Sequence, residues 1–418
     1  MRPAVTRRAV LFGYTHNRFF SDMTGQFCRY NERTMVNMHL TGGRERAVAV
    51  VDVSPGSASV AVLSVSGHSP ANIIATGHSK LTLEERTFKQ ATAQIGGQIQ
   101  EAGKEALDAY TKNGHRTPID SVYIVVHAPW ATTQTIRMGE KYGSDEVIRD
   151  AMVGKLAQQA LANAPKLDRA RLLEASVLRV QLNGYSTVEP AGKYAHAIDI
   201  VSLVSECDPA VRSAISAGVG QVFPVAKPAW RSGIRSLMML ARESAVPSRH
   251  YLIVDMGVDT THVISVRGAA FEQRVVPEGV RTILSRIAGG KPPEDVLTSL
   301  RMLERDACST EACEAVQKAL VLAEPELVRI FADPIGQMAA TRRAANDLLL
   351  VTHPDLEPWL GRLFSRIDFS QFTVTTLPFT VCTPSSMHVD RWISGGVADD
   401  SLAVASALVP LEAAVTHS

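Results

Sequence analysis

Two segments of the sequence, far apart along the chain, share one design that restricts the possible folds. The first reads AVVDVSPGSASVAVLSV and the second reads LIVDMGVDTTHVISV. Each has an apolar run that ends in an aspartate, a turn of small residues rich in serine or threonine, and a second apolar run. Continuous runs rich in Val and Ile are typical of buried strands. The repeat therefore predicts two similar hairpins, with Asp52 and Asp255 at the ends of their first strands.

An aspartate at the end of a buried strand needs a compensating group, because burial of an unpaired charge is costly. Hydrated Mg²⁺ is a natural partner for such a carboxylate, and the small-residue turn offers N–H groups and hydroxyls that suit phosphate oxygens. A single hairpin of this kind is also explained as a plain β-turn with a capping aspartate. Two hairpins in matching context predict a clamp that holds the phosphates and the metal of a nucleotide from both sides.

The pair of hairpins resembles the phosphate-1 and phosphate-2 motifs of the actin-like ATPase superfamily, which includes actin, Hsp70 and sugar kinases. The segment DMGVDTTH is similar to the DIGGGTTD form of FtsA- and PilM-type bacterial proteins. The resemblance implies ATP and Mg²⁺ as cofactors, with Asp52 and Asp255 as catalytic and metal-binding residues that face each other across a cleft. It further implies contacts to the cofactor from Ser54, Gly56 and Ser57 at phosphate-1 and from Gly257, Asp259, Thr260 and Thr261 at phosphate-2.

The sequence departs from this family pattern at both motifs and at the adenosine site. Pro55 removes a backbone donor from phosphate-1. Asp259 adds a second carboxylate beside the phosphate-2 site. The glycines expected after the strand LLLV, which let the backbone approach a nucleoside closely, are replaced by residues 352–355, which read THPD.

One histidine is a further catalytic candidate. His127 ends the strand predicted at 121–129, which in the actin-like fold points toward the γ-phosphate. A histidine in that position is suited to orient a water molecule. The alternative is an ordinary histidine at the end of a strand.

The predicted elements are of the α/β class, and the resemblance implies an actin-like, ribonuclease H-like fold of two lobes with an inserted α+β subdomain of the SHS2 type. The insertion is recognised by its place between the two motifs and by a Pro-x-Gly-Lys stretch at 190–193. The predicted units are an N-terminal arm or misassigned start at 1–45, the first lobe at 46–132, the inserted module at 133–222, the second lobe at 223–289, a helical subdomain at 290–345, and completion of the second lobe with a closing helix at 346–418.

Charge and composition exclude several other classes of protein. Lys and Arg total 43 against 42 Asp and Glu, so there is no global electrostatic case for a nucleic acid partner. No apolar run approaches the length of about 18 residues needed to span a bilayer. The five cysteines are scattered, and Cys308 and Cys313 are spaced so that they would not share a helix face. We therefore predict free thiols and a cytoplasmic protein, peripheral at the inner membrane at most and only through a partner.

The favoured functional prediction is an ATP-binding scaffold of the FtsA-like division machinery or the PilM-like pilus machinery. It would be at most a weak ATPase, would self-associate as a dimer or filament, and would bind protein partners rather than lipid. Two alternatives remain open. One is an actin-fold structural protein that no longer binds nucleotide, and the other is a sugar kinase. The inserted module favours the scaffold, since a kinase would instead need a catalytic aspartate in a substrate cleft.

Overall fold

The computed structural model describes residues 45–66, 70–243, 250–339, 346–367, 377–387, 389–396 and 399–417. The arm predicted at 1–45 therefore lies, except for Glu45, outside the described residues. Within the described parts of the chain, we find no helix with the length and apolar character needed to cross a membrane.

The strands form three separate sheets. In chain order they are β1 (Arg46–Ser54), β2 (Ser57–Val65), β3 (Ala71–Lys80), β4 (Ile119–Val126), β5 (Ala131–Val147), β6 (Leu172–Leu182), β7 (Tyr185–Thr187), β8 (Tyr194–Cys207), β9 (Lys227–Ser232), β10 (His250–Met256), β11 (Thr261–Arg267), β12 (Ala270–Val276), β13 (Asp347–Val351), β14 (Thr380–Cys382) and β15 (Ile393–Ser394).

The helices cover the faces of these sheets and connect them. They are α1 (Phe88–Lys112), α2 (Asp150–Ala162), α3 (Pro209–Val222), α4 (Gly233–Glu243), α5 (Val280–Ala288), α6 (Pro293–Glu304), α7 (Thr310–Ala339), α8 (Glu357–Arg366) and α9 (Asp400–His417). Short 3₁₀ turns occur at Arg169–Arg171, Pro384–Met387 and Val389–Arg391.

The two larger sheets share the same five-strand topology, to which the first sheet adds β15. The first has the order β15-β3-β2-β1-β4-β9, and the second has the order β12-β11-β10-β13-β14. In each, three antiparallel strands of a meander are followed by two strands that run parallel to the first strand of the meander. This repeated arrangement confirms the predicted two-lobe, ribonuclease H-like actin fold. It also places β1 and β10, the strands that carry the two aspartates, at equivalent positions in their sheets.

The lobes share one hydrophobic core. It combines residues of the first sheet, such as Val48 and Val50, with Ile253 and Ile264 of the second, and helices α4 and α9 contribute to it. The opposite face of β1 packs against α1 and α3 in a second core. Because β1 is covered on both faces, every residue from Ala47 to Val53 is buried, which explains its continuous apolar run.

The inserted module has its own sheet, in the order β5-β8-β6-β7, with helix α2 packed on one face around a small separate core. Its boundaries differ from the prediction of 133–222. Helix α3 packs against α1 in the first lobe, because its buried residues Val211, Ile215 and Val219 belong to the core beneath the first sheet. The module itself is therefore the segment from β5 to β8.

Two other predicted boundaries differ as well. Strand β9 lies in the segment predicted to begin the second lobe at 223, but it pairs in parallel with β4 and completes the first sheet. Near the C-terminus, β15 pairs with β3, so the chain returns to the first lobe before α9. The segment predicted at 346–418 therefore completes both lobes.

The prediction that all cysteines are free thiols is wrong. Cys308 and Cys313 form a disulfide, while Cys207 and Cys382 are free. Cys308 does not lie on a helix, since α6 ends at Glu304 and α7 begins at Thr310. The loop between the two helices brings its sulfur to Cys313, which the helical spacing argument did not anticipate.

Candidate functional site

The first hairpin turns in only two residues. Ser54 pairs with Ser57 in the strand register, so Pro55 and Gly56 alone form the turn. Gly56 adopts a φ of +87°, which residues with a side chain rarely adopt. The hydroxyls of Ser54 and Ser57 hydrogen bond to each other at 2.6 Å. The turn therefore offers a phosphate fewer donors than expected, because Pro55 has no N–H and one of the two hydroxyl protons is used in the bond between the serines.

The second hairpin is longer and keeps one polar group without a partner. Asp255 is the last residue but one of β10, and the Gly257 N–H closes the turn by donating to the Thr260 carbonyl at 2.9 Å. The Thr261 hydroxyl donates to the Glu278 carbonyl at 2.6 Å. The Thr260 hydroxyl is buried and has no hydrogen-bond partner among the described residues.

The segment that leads into α5 holds this second turn in place. The carbonyls of Gly257 and Val258 accept hydrogen bonds of 2.9 Å from the N–H groups of Val280 and Arg281. The Arg281 guanidinium also pairs with Asp259, with Nε 2.6 Å from Oδ1. The extra carboxylate of the second motif is therefore bound by a neighbouring arginine.

Between the hairpins, Asp52 is bonded on both oxygens. The His127 Nε2 lies 2.6 Å from Oδ1, and the Ser401 hydroxyl donates to Oδ2 at 2.7 Å. Burial alone would lower the pKa of His127, but the charge and the hydrogen bond of Asp52 overcome this effect and raise that pKa to about 9. The paired aspartate therefore favours the protonated form of the imidazole.

Asp255 lies within electrostatic range of the Asp52–His127 pair. Burial raises the pKa of Asp255, the charge of His127 opposes that rise, and the charge of Asp52 adds to it. His262 on β11 pairs directly with Asp255 in the strand register. Burial lowers the pKa of His262, while the charge of Asp255 and the side chain of Gln273 oppose that effect. Each lobe thus contributes one aspartate and one histidine.

A second polar group lies beside the first hairpin. Ser59, opposite Asp52 in the strand register, donates its hydroxyl to Asp399 at 3.0 Å, and Lys80 lies 3.5 Å from the same carboxylate. Burial alone would raise the pKa of Asp399, but Lys80 and Ser59 lower it. His353 of the second lobe is within electrostatic range of Lys80 and Asp399, and burial lowers its pKa.

Not all of the predicted site residues converge. Asp52 and His127 are in contact and Asp255 is within electrostatic range of both. Most polar groups of the two turns bond to one another or to the segment that leads into α5, whereas the Thr260 hydroxyl has no partner among the described residues. Sequence reasoning missed Ser401 and His262. His262 had a signal, since it stands where the DIGGGTTD motif ends in an aspartate. No sequence signal indicated Ser401, because it bonds Asp52 from a distant part of the chain.

The residues present do not fit a Mg²⁺–nucleotide complex. Both oxygens of Asp52 are bonded to protein groups, Pro55 lacks a donor, and Asp259 is paired with Arg281. Across the described ranges, no three His, Cys, Asp or Glu side chains are arranged to hold a metal ion. The glycines expected near the nucleoside are replaced by a segment with the half-buried His353. ATP, Mg²⁺ and the metal role of the two aspartates therefore remain predictions.

No family model matches the sequence, and no curated protein matches it. Solved structures with a similar fold include the PilM–PilN type IV pilus biogenesis complex, at 15% identity and a TM-score of 0.47, covering 87% of this chain and 98% of that one. A diol dehydratase-reactivating factor in nucleotide-free form has 10% identity and a TM-score of 0.48, covering 87% and 99%. The ethanolamine utilization protein EutJ from Carboxydothermus hydrogenoformans has 11% identity and a TM-score of 0.40, covering 90% and 94%. These likenesses are distant, and the fold assignment rests on the strand order of the two large sheets.

Proposed function

We propose that this chain is an actin-like scaffold protein that recruits or assembles partner proteins, in a role of the FtsA-like division or PilM-like pilus type. The observation that carries the proposal is the inserted module. Its sheet and core are separate from those of the two lobes, and it contributes no side chain to the hydrogen bonds around Asp52. A lobe that only bound and hydrolysed nucleotide would have no use for it.

The base of the module is fixed to both lobes. On the first lobe, the Glu174 carboxylate accepts from the Ser232 N–H at 2.8 Å and from its hydroxyl at 2.7 Å. On the second lobe, the Thr135 hydroxyl bonds to the N–H and the carbonyl of Phe271, at 3.0 and 3.2 Å. A partner bound to the module would therefore be held rigidly relative to the lobes.

The module exposes three large apolar side chains, and one of them lies on an edge strand. Tyr185, Val188 and Tyr194 are 80%, 62% and 70% exposed. Strand β7, which carries Tyr185, pairs only with β6 and forms one edge of the module's sheet. Exposed aromatic residues beside an open strand edge suit a protein contact, either with a second copy of this chain or with a partner's extended segment.

The interlobe geometry favours a scaffold whose contacts do not depend on nucleotide turnover. Such a scaffold corresponds to the alternative of an actin-fold protein that no longer binds nucleotide. The hydrogen bonds that His127 and Ser401 form with the two oxygens of Asp52 support it. A sugar kinase is less well supported, because it needs an aspartate free to act on a substrate hydroxyl. Any membrane role would be indirect, through a partner.

The proposal is tested with a triple variant, Tyr185→Ser, Val188→Ser and Tyr194→Ser. We expect self-association in analytical ultracentrifugation, or capture of division or pilus proteins by the immobilised chain, to weaken at least about tenfold, since tyrosine is enriched among the few interface residues whose truncation costs about 2 kcal/mol or more. Val321→Ser with Leu322→Ser on α7 is the matched control, because these side chains are also 63% and 72% exposed. A triple variant that assembles and recruits as well as the intact chain would place the contact elsewhere.

A further inference from the structure

We propose that residues 81–87, which connect β3 to α1, form a latch that by itself holds the two lobes together beside the hairpin turns. The segment reads LTLEERT, and the elements at both of its ends belong to the first lobe. Its middle part reaches the second lobe. The proposal concerns this interlobe contact and not the module, so it can fail while the scaffold function stands, and the reverse also holds.

Both ends of the latch are fixed within the first lobe. The Leu81 N–H donates to the Gly56 carbonyl at 2.8 Å, so the segment leaves β3 beside the turn of the first hairpin. At the other end, Thr87 is the N-cap of α1 and exchanges hydrogen bonds of 2.9 and 3.3 Å with Gln90. The residues between these two anchors therefore have a short and defined path.

The middle of the latch contacts the second lobe through Leu83. Its side chain is partly buried against the core that includes β10, α5 and α6. Its N–H donates to Glu294 Oε1 at 2.6 Å, and Glu294 lies in the first turn of α6. Hydrogen bonds to a carboxylate are stronger than those between neutral groups. One residue from the first lobe is thus attached to the second lobe by both an apolar contact and a charge-assisted hydrogen bond.

A weaker contact links the latch to the turn of the second hairpin. The Arg281 guanidinium, which pairs with Asp259, also lies 4.0 Å from Glu85 Oε2. The Glu85 side chain is 84% exposed, so this ion pair stabilises the contact only slightly. Its geometry nevertheless shows that the latch passes beside both turns, the first at Gly56 and the second at Arg281.

One of its own side chains orders the latch. Arg86 folds back along the segment, with Nη1 2.5 Å from the Thr82 carbonyl oxygen and Nη2 2.9 Å from the Thr82 hydroxyl. A segment that is already ordered loses less conformational entropy when it binds the second lobe. Because the lobes also share a core at α4 and α9, release of the latch would leave them connected but free to hinge about that core.

The proposal is tested by measuring a distance between the lobes in the full chain. Spin labels are attached at Lys104→Cys on α1 and Arg329→Cys on α7, two exposed positions, in a Cys382→Ser background. The other free cysteine, Cys207, is buried and stays unlabelled. Pulsed electron paramagnetic resonance then gives the distribution of distances between the two labels. We expect one narrow distribution when the latch is native.

Two variants release the latch from the second lobe. Leu83→Ser removes the apolar contact, and Glu294→Ala removes the hydrogen-bond acceptor. In either variant we expect the distance distribution to shift or widen by more than about 2 Å, the scale of a hinge rearrangement. The Leu83 amide should also exchange its hydrogen at least about tenfold faster in Glu294→Ala, because a bond to a charged acceptor is lost. Asp295→Ala is the matched control, since Asp295 is an exposed carboxylate in the same turn of α6.

Three results would overturn the proposal. The first is an unchanged distance distribution in both variants, even with faster exchange of the Leu83 amide, because the segment would then rest on the second lobe without restraining it. The second is a broad distribution with the native latch. The third is an equal shift in Asp295→Ala, since the charge of α6 and not the bond to Leu83 would then be responsible. If Leu83→Ser does not fold, Glu294→Ala decides alone, because it removes no apolar side chain.

Discussion

Replacing Glu412 with alanine is expected to lower the free energy of unfolding by about 3–5 kcal/mol, the usual cost of breaking a buried ion pair. Glu412, on the interlobe helix α9, accepts from Arg231 Nε and Nη2 at 2.7 and 2.8 Å and from Arg235 Nε at 2.8 Å. Without Glu412, Arg231 loses its carboxylate partner, while Arg235 keeps its ion pair with Glu174, 3.6 Å away, and its hydrogen bond to the Ser176 hydroxyl. Urea unfolding of the two proteins measures the difference.

The same network connects three parts of the molecule. Glu174 belongs to β6 of the module, Arg231 and Arg235 to β9 and α4, and Glu412 to α9. The guanidinium of Arg231 also lies 5.7 Å from the centre of the Tyr123 ring. Loss of Glu412 should therefore loosen the attachment of the module as well as the shared core.

The pH dependence of this effect has a definite sign. Burial would raise the pKa of Glu412, but Arg231 and Arg235 lower it from 4.5 to about 2. A carboxyl whose folded pKa is depressed stabilises the protein above its unfolded pKa, and this contribution is lost as the pH falls from 4.5 toward 2. The wild type should lose stability over that range more steeply than Glu412→Gln.

Glu304→Ala is the control for Glu412. Glu304 also forms an ion pair with an arginine, Arg362, but the arginine side chain is 55% exposed. Exposed pairs contribute about 0–1 kcal/mol. Equal losses from the two substitutions would show that the buried network is no stronger than a surface pair.

The two hairpins could be predicted from sequence because each is formed by one short continuous segment, with an apolar run on either side of a turn of small residues. The run around Asp52 is apolar because β1 is covered on both faces, and the run around Asp255 forms β10 in the equivalent place of the second sheet. Two such strands sharing one core bring their ends together. The proximity of Asp52 and Asp255 is a consequence of that symmetry.

The parts that sequence reasoning missed depend on contacts between distant segments. Strand β9 was not recognised because KPAWRS is short and holds Pro228, and the structure places it at the edge of the first sheet, where proline is tolerated. Ser401 bonds Asp52 across 349 positions of sequence, so no local pattern could indicate the contact. His127 was singled out from the sequence as a catalytic candidate, but no local pattern indicated its hydrogen bond to Asp52.

Substituting Gly279 with alanine is expected to cost about 3 kcal/mol, at the upper end of the usual range for overpacking. Gly279 has φ −140° and ψ −171°, which alanine adopts without strain, so the cost is purely steric. A Cβ here would lie 2.5 Å from the Val258 carbonyl oxygen and 2.7 Å from the Asp259 carbonyl carbon. Both atoms belong to the backbone of the second turn, which cannot yield as a flexible side chain would.

Gly97→Ala is the control, because a Cβ at Gly97 in the interior of α1 meets no atom within 4 Å. It should stabilise the protein by about 0.5–1 kcal/mol, through the helix preference of alanine over glycine. Hydrogen exchange supplies a local measurement: the Gly257 amide, bonded to the Thr260 carbonyl, should exchange faster in Gly279→Ala if the turn is displaced. If neither the stability nor the exchange rate of the Gly257 amide changes, the turn can shift to make room for the added Cβ at no cost. The α5 segment would then not be what holds Asp255 and His262 in position.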